Sequence, residues 1–346
     1  MSIKLAINGF GRIGRLSFRR AMELKDFEVV AINDLTDAAS LAYLLRYDSA
    51  HRQWGAKDIG VSADGKGIVY KGKVIPVIGQ PDPSLIKWSD YGVDLVLECT
   101  GRFKGASDAR VHVDVGGAKG VIISAPADKE TPTFVYGVND HLLTKDMKVI
   151  SGASCTTNCL APVAKVLNDK FKIDSGFMTT VHAYTNDQTT LDLAKKGNLR
   201  RGRAAAQNIV PSSTGAAKAI GLVLPELDGR LRGGAFRVPV LDGSLVDFTV
   251  VLKKKVTKEK INEAMLNASK RGPLKDVLAY NSDEIVSTDI LGAVAGSIFD
   301  ETQTEVFVSP NGTQLVKVVA WYDNEYSYTC QYIRLAKAYA VVLGII

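Results

Sequence analysis

Lys4-Leu5-Ala6-Ile7-Asn8-Gly9-Phe10-Gly11-Arg12-Ile13-Gly14 is the stretch whose reading decides the fold. Residues 4–8 are a short, largely apolar run, and three glycines follow at the spacing G-x-G-x-x-G. Residues 15–24 then carry Leu16, Phe18, Ala21 and Met22 on a helical pattern, and a second apolar run over 27–32 ends at Asn33-Asp34. Strand, glycine turn, helix, strand and acid, in that order, make a dinucleotide-binding unit. Gly9 lets the chain turn tightly, Gly11 lets backbone approach a pyrophosphate, and Gly14 lets the helix pack close to the strand. The helix start offers unpaired N–H groups and a positive dipole end to phosphate. Asp34 can accept hydrogen bonds from an adenosine ribose and repels a 2′-phosphate, so the pattern favours NAD over NADP. A bare G-x-G-x-x-G is weak, because glycines often serve only as turns; its flanking elements give it weight here.

Further apolar runs at 94–98, 120–124, 133–138 and 148–151 read as more strands of the same sheet. Two end in small residues, Thr100-Gly101 and Ser124-Ala125-Pro126. Ligands of open α/β sheets gather at the carboxyl ends of strands, so Thr100 and Ser124 are expected to touch the cofactor. Turn geometry alone is the competing reading.

The chain has 346 residues, more than one hydrophobic core usually serves, so two domains are expected. With 46% apolar and 23% charged residues it falls in the range of globular proteins. A net charge of +6 suits small anionic substrates at least as well as nucleic acid, since Lys and Arg are scattered. The densest basic group, Lys195, Lys196, Arg200, Arg201 and Arg203, reads by itself as a solvated loop. The first strand feeds directly into the glycine turn, so no export leader is expected. The apolar run over 338–346 is far short of the roughly 20 residues that span a bilayer. Cys99, Cys155, Cys159 and Cys330 are too sparse for a disulfide framework, which points to a reducing cytoplasm.

Ser151-Gly152-Ala153-Ser154-Cys155-Thr156-Thr157-Asn158-Cys159 carries the chemistry. A strand ends, small residues follow, and a helical pattern runs over 156–171, which places Cys155 at a helix N-terminus. The dipole and free N–H groups there are expected to lower the thiol pKa and make a nucleophile. Three other readings compete. A shared metal lacks further Cys or His ligands nearby in sequence, a disulfide four residues apart on a helix has the wrong geometry, and burial is the common fate of free cysteine. Burial is accepted for Cys159, Cys99 and Cys330; the polar neighbours of Cys155 argue against it there. A reactive thiol needs a proton acceptor. Of four histidines, His182 ends the strand-like run 177–182 beside Tyr184, Thr185, Asn186 and Asp187, which suits a cleft. On pattern alone a structural histidine is an equal reading.

Taken together, NGFGRIGR, the Asn33-Asp34 strand end, ASCTTNCLAP, HAYTND, SSTGAAKA, FRVP and WYDNEYSY resemble the phosphorylating glyceraldehyde-3-phosphate dehydrogenase family, in the family's order from residue 7 to 328. The resemblance implies oxidation of glyceraldehyde 3-phosphate with NAD and inorganic phosphate through a cysteine thioester. It implies Cys155 as nucleophile and His182 as its acid/base partner. Thr185 and Arg237, with Asp187 beside them, resemble the site for the substrate's own phosphate. Ser154, Thr156, Thr214, Gly215 and Arg201 resemble the site for inorganic phosphate, and Arg12, Ile13, Asp34, Ser124 and Asn324 match cofactor contacts. A homotetramer is also implied. Residue chemistry agrees: Thr214-Gly215 precedes a small-residue helix suited to an anion, and Arg201 and Arg237 offer forked donors. The pattern departs at Gln80-Pro81-Asp82, where the family usually carries an Arg at the adenine end of the cofactor, and at Ala194, where Pro is frequent. An erythrose-4-phosphate dehydrogenase and a nucleic-acid- or surface-binding role are the rivals; Thr185 favours the three-carbon aldehyde.

The second half reads differently. Alternating runs over 234–240 and 246–253 flank a Leu-Asp-Gly turn, and 305–308 and 314–321 flank Pro310-Asn311-Gly312. Helical patterns cover 258–270 and 325–343. The expectation is an α/β chain: a Rossmann-type dinucleotide-binding domain over 1–153, completed by 324–346, and an α+β catalytic domain over 154–323 with a mostly antiparallel sheet.

Overall fold

The computed structural model describes residues 2–346. The chain divides into two compact units, one comprising the residues up to Phe134 with Asp140–Ala153 and Tyr332–Ile346, the other Val135–Asn139 and Ser154–Gln331.

The first unit is built on a five-stranded parallel sheet in the order Phe27–Asn33, Ile3–Asn8, Leu95–Glu98, Gly120–Ile123, Val149–Ser151. Every residue of the last three strands is buried, as a parallel sheet covered on both faces requires. The order places the first strand beside strands two and six of the chain, so the glycine turn opens where the sheet reverses direction of growth. Gly9 adopts φ +91°, and a Cβ there would lie 2.6 Å from the Thr100 nitrogen. A Cβ on Gly14 would lie 2.1 Å from the Gly9 carbonyl oxygen, whereas one on Gly11 would meet nothing within 4 Å. Two of the three glycines therefore serve packing, and the third leaves open backbone. The Arg12–Glu23 helix is anchored at its start by a bidentate pair between Arg12 and the buried carboxylate of Asp48. Burial alone would raise the Asp48 carboxyl, but the Arg12 and His51 hydrogen bonds outweigh it and bring it down to about 2. In the Tyr326–Val342 helix, Tyr332 and Tyr339 donate to the carbonyls of Ile122 and Met147, so the end of the chain closes onto this sheet.

Residues 133–138, expected as a strand, are not one. Thr133 makes a single bridge to Ser151; beyond it the Asn139 side chain accepts the Val135 N–H at 2.8 Å, and Gly137 turns at φ +80°. Asn and Gly provide a local turn that competes with the sheet. A three-stranded antiparallel sheet, Ile59–Val61, Gly67–Tyr70 and Lys73–Pro76, adds to the first unit; Tyr70 carries its packing against Phe18 and Trp54.

The second unit holds a seven-stranded mixed sheet in the order Val210–Ser212, Leu231–Val238, Ile173–Ala183, Ser244–Leu252, Gln314–Tyr322, Ser297–Val308, Leu278–Asn281. Ser244–Leu252 alternates strictly between buried and half-buried residues, the mark of a strand with one covered face. The Ser297–Val308 and Gln314–Tyr322 strands form the expected hairpin. The other expected hairpin is absent: Ile173–Ala183 lies between Leu231–Val238 and Ser244–Leu252, parallel to the former and antiparallel to the latter. Gly243, at φ +92° with no room for a Cβ beside Ser287, belongs to a wider connection than a two-residue turn. That insertion sets Arg237 opposite His182 in register.

The glycines separate into packing and ligand roles by experiment. Gly14→Ala should destabilise the chain by about 1–3 kcal/mol, read as a lower denaturant midpoint, while Gly11→Ala leaves the midpoint nearly unchanged. Equal effects at the two positions would refute the distinction.

Candidate active site

The site is assembled by one abrupt change of direction. Val149–Ser151 ends, Ala153 takes φ +58°, which is uncommon for a residue with a Cβ, and Ser154 caps the Cys155–Phe171 helix. The Ser154 hydroxyl accepts the Thr157 N–H at 3.1 Å, and its carbonyl accepts the Asn158 N–H at 2.9 Å. Cys155 and Thr156 are the first two helical residues, whose N–H groups have no acceptor within the helix. The Thr156 hydroxyl meets the Tyr322 hydroxyl at 2.9 Å. Thr156 is therefore turned inward, and its side chain faces Tyr322.

His182 arrives from the Ile173–Ala183 strand, 3% exposed, with its Nε2 3.4 Å from the Cys155 sulfur. Its Nδ1 is 2.7 Å from the Ala183 carbonyl oxygen and 2.9 Å from Arg237 Nη1. The carbonyl can only accept and Arg237 can only donate, so Nδ1 cannot satisfy both. Arg237 Nη1 has two other acceptors, the Ala183 carbonyl at 2.9 Å and the Thr185 hydroxyl at 3.1 Å. The proton therefore sits on Nδ1, toward Ala183, and Nε2 presents a lone pair to the sulfur. The ring also packs edge-on to Tyr322 at 5.8 Å, whose hydroxyl is fixed between Thr156 and Thr180.

Burial dominates both titrating groups. It raises the Cys155 thiol above its ordinary value, although the Arg237 charge and the Thr156 hydrogen bonds pull it down. Burial, then the Arg237 charge, lower His182 to about 3 against the opposing pull of the Ala183 carbonyl. Burial thus opposes the lowering of the thiol that the helix start was expected to give. The reason is desolvation, which a sequence pattern does not display.

Around this pair lies a cationic cluster. Thr185 and Arg201 both donate to the Asp187 carboxylate, and Lys195 donates to the Asp187 carbonyl. Burial would raise Asp187, but Thr185 and the Arg201 and Arg237 charges bring it below its usual value. The Nε atoms of Arg201 and Arg237 are buried without an acceptor among the described residues. Buried guanidinium donors left open are suited to phosphate oxygens. Thr185, Asp187, Arg201 and Arg237 thus join Cys155 and His182 in one connected group. Thr214 and Gly215 do not: they open the Ala216–Val223 helix, where the Thr214 hydroxyl accepts the Ala216 N–H at 3.2 Å, and no hydrogen bond joins them to the cluster. Asn324 is tied to it through Ser244, which donates to the Asn324 amide oxygen and accepts the Ala183 N–H.

In the first unit a cavity of about 260 Å³ is lined by Gly9, Gly11, Asp34 and Thr100, with Pro81 and Cys99. Asp34 accepts the N–H groups of Phe10 at 2.7 Å and Thr36 at 2.9 Å, one on each carboxylate oxygen, and each oxygen keeps a lone pair. Thr100 directs its hydroxyl to Glu98. Arg12, Ile13, Gly14 and Ser124 are not among the lining residues, and Arg12 is turned to Asp48. Sequence reasoning missed the buried chain behind this cavity, in which Asn33 donates to Asn8 at 2.7 Å, Glu98 meets Asn8 and His112, and Trp88 donates to His112 at 3.0 Å. These partners are far apart in sequence and share no local motif. Cys159 and Cys330 are buried, while Cys99 is only half-buried at the cavity wall.

Two family profiles match the chain: glyceraldehyde 3-phosphate dehydrogenase, NAD binding domain, over 3–106, and glyceraldehyde 3-phosphate dehydrogenase, C-terminal domain, over 154–324. The chain is 53% identical over 340 residues to the glyceraldehyde-3-phosphate dehydrogenase of Clostridium acetobutylicum, covering 98% of this chain and 99% of that one. It is 53% identical over 348 residues to that of Lactobacillus delbrueckii subsp. bulgaricus, covering 99% and 100%. With both halves matched and the relatives aligned along their whole length, the chain belongs to the glyceraldehyde-3-phosphate dehydrogenase family.

Proposed function

We propose that this chain oxidises D-glyceraldehyde 3-phosphate to 1,3-bisphosphoglycerate with NAD and inorganic phosphate, the glycolytic reaction. The observation that carries the reading is the Cys155 sulfur 3.4 Å from an imidazole nitrogen, with arginine donors left open beside it. The first unit is the cofactor domain, with the chain's last helix, and the second is the catalytic domain. The residues fit NAD: Gly11 leaves backbone open, the cavity follows the glycine turn, and Asp34 keeps acceptor capacity for ribose hydroxyls while opposing a 2′-phosphate. Gly9, Gly11, Asp34 and Thr100 would line its adenosine end, and Asn324 its nicotinamide. NAD, when bound, supplies the two-electron acceptor.

The chain's own residues do the rest. The Cys155 thiol passes its proton to His182 Nε2 as the sulfur electron pair bonds to the aldehyde carbon. The carbonyl oxygen, now an oxyanion, faces the Cys155 N–H and regains the proton from His182, giving a thiohemiacetal. His182 then removes the hydroxyl proton as the C–H hydrogen departs with its electron pair, and a thioester remains. A phosphate oxygen attacks the thioester carbon, the C–S bond breaks, and sulfur recovers its proton from His182. Arg237 and Thr185 hold the substrate's phosphate, and Arg201, Ser154 and the helix starts at Thr156 and Thr214-Gly215 receive the attacking one.

We infer a homotetramer in the cytoplasm. Leu191, Leu193, Leu199 and Ile209 are more than two-thirds exposed in one segment, and the nearby Gln188 amide is buried without a partner among the described residues, a surface suited to another copy. No helix among the described residues is long and apolar enough to cross a membrane.

Absorbance of NADH with glyceraldehyde 3-phosphate, in the presence and absence of phosphate, tests the reaction; phosphate-independent formation would refute it. Cys155→Ser should lower that rate about a thousandfold or more while NAD affinity stays within about twofold. Normal turnover would remove Cys155 from the mechanism. Arg237→Gln should raise KM for the aldehyde about 10–100-fold, as expected for a lost charged hydrogen bond. It also removes a positive charge that disfavours the imidazolium, so the His182 pKa rises and the acid-side fall in kcat moves to higher pH. An unmoved acid limb would separate Arg237 from His182.

A further inference from the structure

Asn324 lies between the Gln314–Tyr322 strand and the Tyr326–Val342 helix and is 5% exposed. The backbone of this connection is pinned by Asp323, whose fully buried carboxylate accepts the N–H groups of Gly292, Glu325 and Tyr326 at 2.8, 2.9 and 2.6 Å. Pinning the backbone leaves the Asn324 amide one freedom, a half-turn that exchanges its oxygen and nitrogen at nearly the same shape. Ser244 removes that freedom. Its hydroxyl oxygen accepts the Ala183 N–H at 3.0 Å, so its single hydrogen is left to donate, and it donates to the Asn324 oxygen at 2.7 Å. A reversed amide would set NH₂ against a hydroxyl whose hydrogen has no other acceptor among the described residues. The Asn324 NH₂ is therefore directed away from Ser244, and it has no acceptor among the described residues. Two N–H donors held at a fixed angle call for a carbonyl oxygen. The same Ala183 whose N–H sets Ser244 also takes the Nδ1 proton of His182 on its carbonyl. One peptide residue thus orients the imidazole and, through one hydroxyl, the amide.

We propose that Ser244 is a positioning residue for the nicotinamide ring: it holds the Asn324 amide with NH₂ outward, ready for the ring's carboxamide oxygen. The proposal rests on the assignment of Asn324 to the cofactor. Calorimetric binding of NAD and of ADP-ribose, which lacks the nicotinamide, to the full chain tests it. Ser244→Ala should weaken NAD roughly 5–10-fold and leave ADP-ribose unchanged, the scale of one oriented hydrogen bond. In an Asn324→Ala background, Ser244→Ala should have no further effect on NAD, because the group it orients is gone. Ser244→Gly supplies the same comparison if the alanine variant does not fold. A Ser244 variant that keeps the NAD-to-ADP-ribose ratio, or weakens both ligands alike, overturns the proposal while Asn324→Ala still changes that ratio. Should Asn324→Ala itself leave the ratio unaltered, the cofactor assignment fails and the role of Ser244 falls with it.

Discussion

The Ala183 carbonyl governs the chemistry of this site by fixing where one proton sits. By accepting from Nδ1 of His182 it leaves the Nε2 lone pair 3.4 Å from the Cys155 sulfur. Were the proton on Nε2, two hydrogens would face each other across that gap and the thiol would have no base. The remaining architecture serves this constraint. Parallel pairing of Leu231–Val238 with Ile173–Ala183 brings Arg237 to the ring, the turn at Ala153 leads straight into the helix that Cys155 opens, and Tyr322 backs the imidazole.

Charge in the cluster is balanced unequally. Asp187 accepts from Thr185 and Arg201, so the Arg201 charge is met by a carboxylate, while the Arg237 charge faces hydroxyl, carbonyl and imidazole. An unneutralised guanidinium in a buried setting is costly on its own and becomes favourable when an anion occupies it. The two arginines thus differ in readiness: Arg201 is bonded directly to a carboxylate, whereas Arg237 feels Asp187 only at longer range.

Much of this could be read from local sequence, and the reason is that the motifs are local. Gly9 to Asp34 is a contiguous strand–turn–helix–strand unit, and Ser154 with Cys155 is a contiguous strand end and helix cap, so short-range order determined both. By pattern alone His182 was one of two equal readings, because its value depends on what lies opposite, and only the family resemblance gave it a role. Contacts set by register were invisible: Arg237 meets His182 only because Ile173–Ala183 enters the sheet between strands that sequence alone suggested as a hairpin. Desolvation was equally hidden, and it reverses the expected shift at Cys155. Residues 133–138 failed for the opposite reason, since a strand-like composition lost to a turn set by Gly137 and Asn139.

The charge of Arg237 connects substrate binding to reactivity. In the free chain that charge stands 2.9 Å from the imidazole and, after burial, is the main influence holding His182 at about 3. A phosphate dianion seated on Arg237 would offset the charge, so protonation of the imidazole would cost less in the complex than in the free chain. The end of the substrate that undergoes no chemistry would then strengthen the base that acts at its other end. An aldehyde lacking the phosphate would meet the same sulfur and the same ring but a weaker proton acceptor, so its disadvantage would appear in kcat as well as in KM.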